Sequence, residues 1–112
     1  MYSADAQTLL LSPTDLSSFL ACRHKTGLDL AVARGALAAP EWSDPVGQSL
    51  RERGLEHERR YVAWLSGRAL QVADLAGLSF DDAHAKTLEA MARGMDVVYQ
   101  AALARDDWRG YA

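Results

Sequence analysis

The stretch Asp96-Val97-Val98-Tyr99-Gln100-Ala101-Ala102-Leu103, followed by Ala104-Arg105-Asp106-Asp107-Trp108-Arg109-Gly110-Tyr111-Ala112, brings sheet to the end of a mostly helical chain. Val97, Val98 and Tyr99 are β-branched and aromatic, the side chains that fit a pleated surface, so a strand is expected over 96–103. Asp106-Asp107 supplies a turn, and Trp108 to Ala112 begins the return strand of a hairpin. The return strand stops almost as soon as it starts. A strand opened there leaves backbone donors and acceptors without a partner, so the chain reads as the N-terminal piece of something larger.

Working back toward the N-terminus, Ser79 with Asp82 three residues on is a capping-box signature, and a helix is expected from there through Ala83, Thr87, Leu88 and Met91 to Gly94. Ala69 to Val72 is expected as a short strand. The longest helix is expected after Asp44-Pro45, a cap followed by proline at the first helical position, and it ends at Gly67. Within it Val46, Leu50, Gly54, His57, Tyr61 and Leu65 recur at helical steps, which predicts that His57 shares the apolar face. Arg51, Glu52, Glu56, Arg59 and Arg60 occupy the opposite face. Ala36 to Ser43 is a loop, and a short helix from Gly27 to Arg34 precedes it, closed by Gly35 as a left-handed cap. Ser12-Pro13-Thr14-Asp15 opens the first helix, which carries Leu16, Phe19 and Leu20 and reaches Cys22 near its end; Gln7 to Leu11 is suited to a strand.

At 112 residues with a formal net charge of −3, the chain has room for one small domain or subdomain and no overall basic character that would nominate nucleic acid. Its single cysteine excludes an internal disulfide. Leu9-Leu10-Leu11 is too short for a signal segment or a membrane span, so the reducing cytoplasm is the natural compartment and no membrane partner is expected.

Three places have residues that carry chemistry, each with a plainer reading beside it. His57, with Glu58 next to it and Gly54 one turn earlier, has a neutral imidazole suited to a metal, and the glycine would allow close approach; the plainer reading is a histidine satisfied in the core. Cys22, followed by Arg23-His24-Lys25, is a thiolate ligand held near cations or a small buried hydrophobe. One cysteine cannot hold an iron–sulfur cluster, which takes about four ligands. The basic residues Arg23, His24, Lys25, Arg51, Arg53, Arg59 and Arg60 suit phosphates, with Arg23, Lys25 and Arg53 the nucleic-acid candidates; the plainer reading is a solvated face of i,i+4 pairs.

Three of these segments resemble one family. Leu10-Leu11-Ser12-Pro13-Thr14-Asp15-Leu16, continuing through Phe19 and Cys22 to His24, then Gly54-Leu55-Glu56-His57-Glu58, and finally Gly110-Tyr111-Ala112, are similar in order and separation to the N-terminal part of bacterial RecB-like nucleases. That family belongs to the PD-(D/E)XK superfamily, with the CRISPR-associated RecB-like exonucleases and the AddAB nuclease domains. The resemblance covers essentially the whole chain. It implies an α/β (α+β), mostly helical chain that is the N-terminal part of a restriction-endonuclease-like domain, cut off before the catalytic strands. On that reading residues 1–112 form a single partial domain, an N-terminal helical region (12–66) followed by the first core helix and strands (67–112).

Residue by residue, the resemblance implies that His57 or Glu58, with His57 favoured, contributes to a Mg²⁺ or Mn²⁺ site, and that Cys22 is the isolated ligand of a [4Fe-4S] cluster completed by downstream cysteines. Gly110-Tyr111-Ala112 matches the strand that runs into the metal-binding aspartate. That aspartate and the later E-x-K residues lie outside the chain, so no catalytic residue is expected within it and the segment should not hydrolyse DNA alone. The partners implied are DNA, the remaining C-terminal nuclease part and a helicase. The alternative is a non-catalytic helical module for protein association.

Overall fold

The computed structural model describes residues 1–3 and 8–112. Its elements in chain order are β1 (Tyr2–Ser3), β2 (Leu9–Leu10), α1 (Pro13–Ala21), α2 (Arg23–Ala33), α3 (Pro45–Ser66), β3 (Val72–Asp74), α4 (Phe80–Ala92), β4 (Val97–Tyr99), β5 (Ala102–Arg105) and β6 (Trp108–Tyr111). The fold is mixed α/β, and helices take about half of the described residues. The strands form three two-stranded sheets: β1 with β2, β3 with β4, and β5 with β6. Of the strand expected over 7–11, Gln7 lies outside the described residues, and β2 accounts for its centre.

The contacts divide the chain into two compact units, residues 1–40 with 102–111, and residues 41–101 with 112. The C-terminal hairpin thus belongs to the unit of the N-terminal helices.

In the first unit α1 starts as the sequence dictates. The Asp15 carboxylate accepts from the Ser12 N–H and from the Ser12 hydroxyl, both at 2.7 Å, and the Met1 ammonium lies 3.0 Å from it. Cys22 closes α1 in extended conformation and opens α2, so α2 begins four residues earlier than Gly27. Gly35 follows at φ 72°, the left-handed cap expected of it.

The hairpin expected around Asp106-Asp107 forms, and the C-terminal strand therefore has a partner within the chain, which corrects the reading that its backbone groups are left unpaired. β6 runs antiparallel to β5 with Ala102 opposite Tyr111 and Arg105 opposite Trp108, around Asp106 at φ 52°, in the left-handed region. Leu11 bridges to Trp108, its N–H donating to the Asp107 carbonyl and its own carbonyl accepting from Arg109, both at 2.8 Å. A Cβ on Gly110 would stand 3.3 Å from the Pro13 ring, so the small residue permits this close approach.

In the second unit the Asp44 side chain caps α3 by accepting from Gly47 N–H at 2.9 Å. Gly67 keeps right-handed helical geometry, and Ala69, at φ 60°, is where the chain turns left-handed, which moves β3 to Val72–Asp74 from the expected 69–72. β3 and β4 pair in parallel with Val72 opposite Val97 and Asp74 opposite Tyr99, connected through α4. The Ser79 hydroxyl caps α4, accepting from Asp82 N–H at 3.2 Å and donating to its carboxylate at 2.7 Å. The strand expected over 96–103 is broken at Gln100, which takes φ 56° and separates β4 from β5.

The buried apolar residues are Leu10, Leu75, Ala83, Ala90, Ala101 and Ala102, and the largest fully buried side chain is Thr87. Four of those six are alanines, each contributing little apolar area, while Trp42, Val46 and Leu50 are 79%, 71% and 64% exposed. We expect the chain alone to be marginal, with a melting midpoint that rises with protein concentration as copies cover exposed apolar surface. Circular dichroism melts across a dilution series check this; a sharp monomeric transition independent of concentration contradicts it.

Burial disfavours the Asp15 carboxylate, but the Ser12 hydroxyl and N–H and the Met1 ammonium outweigh it and hold its pKa below the ordinary 3.8. A depressed carboxylate stabilises the fold fully above its unfolded pKa and loses that contribution as pH falls through its folded one. Asp15→Asn should therefore cost about 1 kcal/mol at neutral pH and little at strongly acid pH. Denaturant melts of both proteins at the two pH values measure the difference.

Candidate functional site

The C-terminal turns of α3 determine which residue next to Gly54 enters a site. Val62 and Leu65 are the half-buried positions there, and Glu58 is in register with them at i, i+4 and i+7. Glu58, Tyr61, Val62, Leu65, Val97, Val98, Tyr99, Gln100 and Ala112 line a cleft of about 270 Å³. The Glu58 carboxylate oxygen Oε2 accepts from the Tyr99 hydroxyl and from Gln100 Nε2, each at 3.2 Å. Ala112 is held at the same cleft by its N–H, which donates to the Ala101 carbonyl at 2.8 Å.

His57 is exposed and absent from the cleft lining, which corrects the expected helical phase. The 46/50/54/57/61/65 series and the 58/61/62/65 series both satisfy helical spacing and share Tyr61 and Leu65, while His57 and Glu58 lie about 100° apart around the helix. Val46 and Leu50, which anchored the first series, lie in solvent. Gly54 shields no close approach either, since a Cβ there would meet nothing within 4 Å.

Cys22 is exposed, not a buried hydrophobe, because it forms the joint between two helices. Its cationic neighbours have other engagements: the Arg23 guanidinium lies 5.2 Å from the Phe19 ring centroid, and Lys25 pairs with Asp29 at 2.6 Å. On α3, Arg60 pairs with Glu56 at 3.5 Å, the i,i+4 arrangement of a solvated face, and Arg53 is exposed. Arg23 and Lys25 belong to the first unit and Arg53 to the second.

Among the described residues no three His, Cys, Asp or Glu side chains come together to hold a metal. Within this cleft the carboxylate that could face a divalent cation is that of Glu58, whose hydrogen bonds from Tyr99 and Gln100 both fall on Oε2. A hard carboxylate oxygen suits Mg²⁺ or Mn²⁺, so the donor chemistry fits as one ligand of an incomplete set. Cys22 likewise supplies one thiolate and the sequence no other. Tyr99 and Gln100 went unnoticed as site residues in the sequence; the polar pair closing a β-branched strand was the available signal. No helix among the described residues is long and apolar enough to cross a membrane.

Comparison with family models, curated proteins and solved structures finds no match for the chain.

Exposed Cys22 should react stoichiometrically with a thiol reagent such as dithionitrobenzoate in the folded state, at a rate that denaturant raises less than about tenfold. A thiol that labels only on unfolding would show that the joint is covered.

Proposed function

We propose that the chain is the N-terminal segment of a metal-dependent RecB-like DNA nuclease, with Glu58 as its helix ligand in place of His57. The observation that carries this reading is that Glu58 and Ala112 line one cleft. In the family that the sequence resembles, the residue following this Gly-Tyr-Ala strand is the metal-binding aspartate. An aspartate placed there would enter beside the Glu58 carboxylate, and two carboxylates from different elements form the start of a divalent-cation site. When bound, the cation activates water and stabilises charge on a phosphodiester. The chain's own contribution is to hold one carboxylate in place. Cys22, on the accessible joint between α1 and α2, would be a single thiolate of a [4Fe-4S] cluster whose other ligands lie downstream.

A longer protein continuing past Ala112 into an aspartate and an E-x-K strand provides the test. Glu58→Gln should lower its Mn²⁺-dependent DNA cleavage by more than the roughly 10–100-fold that a supporting residue costs, and His57→Ala by less than about tenfold. The reverse ranking would return the ligand role to His57. Undiminished cleavage in both variants would remove Glu58 and His57 from the reaction.

The second reading, a non-catalytic module for protein association, is favoured by the exposure of Trp42, Val46 and Leu50. The reading frame immediately after Ala112 separates the two: an Asp codon followed by an E-x-K strand supports the nuclease, and a stop codon the module.

A further inference from the structure

Among the described residues β3 has one neighbouring strand, β4, so its other edge is open. The pairing shows which groups lie on that edge. Val97 N–H donates to the Gln71 carbonyl and Leu75 N–H to the Tyr99 carbonyl, both at 3.1 Å. Alternate residues of a parallel strand bond to the same side, so Gln71, Ala73 and Leu75 face β4, and Val72 and Asp74 turn their N–H and C=O groups outward. A cleft of about 210 Å³ opens between β3 and α4, floored by Ala73, Leu75, Ala90 and Met95. Two cations border it, Lys86 on α4 and Arg93 at its C-cap. Arg93 shares its charge with Glu89 at 3.4 Å, whereas Lys86 forms no ion pair among the described residues, so the cleft carries a net positive charge in a chain of formal net charge −3. Seven helical residues span about 10 Å, close to the roughly 13 Å between residues i and i+4 of an extended strand, whose side chains fall on one face.

We infer that the open edge of β3 is a docking site for an extended acidic peptide, which adds beside β3 as a third strand. Its backbone pairs with Val72 and Asp74, one apolar side chain enters the cleft, and the acidic side chains two residues before and after it meet Lys86 and Arg93. In strand addition the main-chain hydrogen bonds supply affinity and the alternate side chains supply selection. The site shares no lining residue with the Glu58 cleft, so the inference is independent of the nuclease reading.

The test is the peptide Glu-Thr-Val-Thr-Glu, blocked at both ends, added to the ¹⁵N-labelled 112-residue chain, with amide shifts giving affinity and hydrogen exchange giving the contact. Exchange should slow at the Val72 and Asp74 amides and stay unchanged at Ala73, whose N–H already faces β4. The same peptide with glutamine for both glutamates should bind about tenfold more weakly, and Lys86→Glu or Arg93→Glu should each weaken the acidic peptide about tenfold. Glu89→Gln, which releases Arg93, should tighten it. Because alternate residues of an added strand bond to its neighbour, N-methylation of the valine and N-methylation of the two threonines should differ: one abolishes binding and the other leaves it intact. These peptide variants need no change to the fold. Equal binding of the acidic and neutral peptides, the same outcome for both methylated forms, or shifts centred away from β3 overturns the inference. Slowing at Val72 and Asp74 that grows with chain concentration in the absence of peptide makes a second copy the occupant and also overturns it.

Discussion

Two parallel strands cannot be joined by a tight turn, and the unit built on residues 41–101 follows from that constraint. β3 and β4 are only three residues each, so their ladder is short and their connection must be a crossover of a dozen residues or more. α4 provides it, capped by Ser79 at one end and released by Gly94 at φ 70° at the other. Asp96 secures the return: its carboxylate accepts from Gln71 N–H at 2.8 Å, while its own N–H donates to the Gln71 carbonyl at 3.0 Å. The register that results puts Asp74 opposite Tyr99 and brings Tyr99 and Gln100 to the end of the pair.

The crossover helix buries small residues. Ala83, Thr87 and Ala90 are its buried positions, and the Thr87 hydroxyl is satisfied by the Ala83 carbonyl at 2.7 Å. Small side chains let a helix lie close, but they bring little hydrophobic stabilisation. Larger apolar residues stand outside instead. Tyr61 stacks on Trp64 with centroids 5.7 Å apart, and Arg68 covers the Trp64 ring at 4.1 Å, so part of that exposed surface on α3 is shielded by its own neighbours.

The cleft at the end of the parallel pair combines an apolar floor, Val62, Leu65, Val97 and Val98, with the polar side chains of Glu58, Tyr61, Tyr99 and Gln100. An exposed hydrogen bond adds little to stability. Two of them on the same oxygen matter more for orientation, since they select one setting of a carboxylate that would otherwise rotate. That division separates Glu58 from the other acids of α3: Glu56 is paired with Arg60, and Glu52 accepts from Gln48 Nε2 at 3.1 Å, both on the solvent side.

Helix starts were legible in the sequence because caps are local: Ser12 with Asp15, Asp44 with Pro45, and Ser79 with Asp82 satisfy their own backbone within one turn, whatever surrounds them. The hairpin turn at Asp106-Asp107 was legible for the same reason. The rotation of α3 was not, since one sequence satisfies two apolar series and only its placement against the β3–β4 pair distinguishes them. Nor was the break at Gln100, where a glutamine adopts a conformation that local preference assigns to glycine or asparagine. The sequence alone thus determined where α1, α3 and α4 begin and that a hairpin ends the chain, because those depend on contacts a few residues apart; the start of α2 at Arg23, directly after Cys22 closes α1, carries no such local signal. Only the tertiary structure decided that Glu58 and not His57 faces the cleft, because that depends on strands about forty residues away.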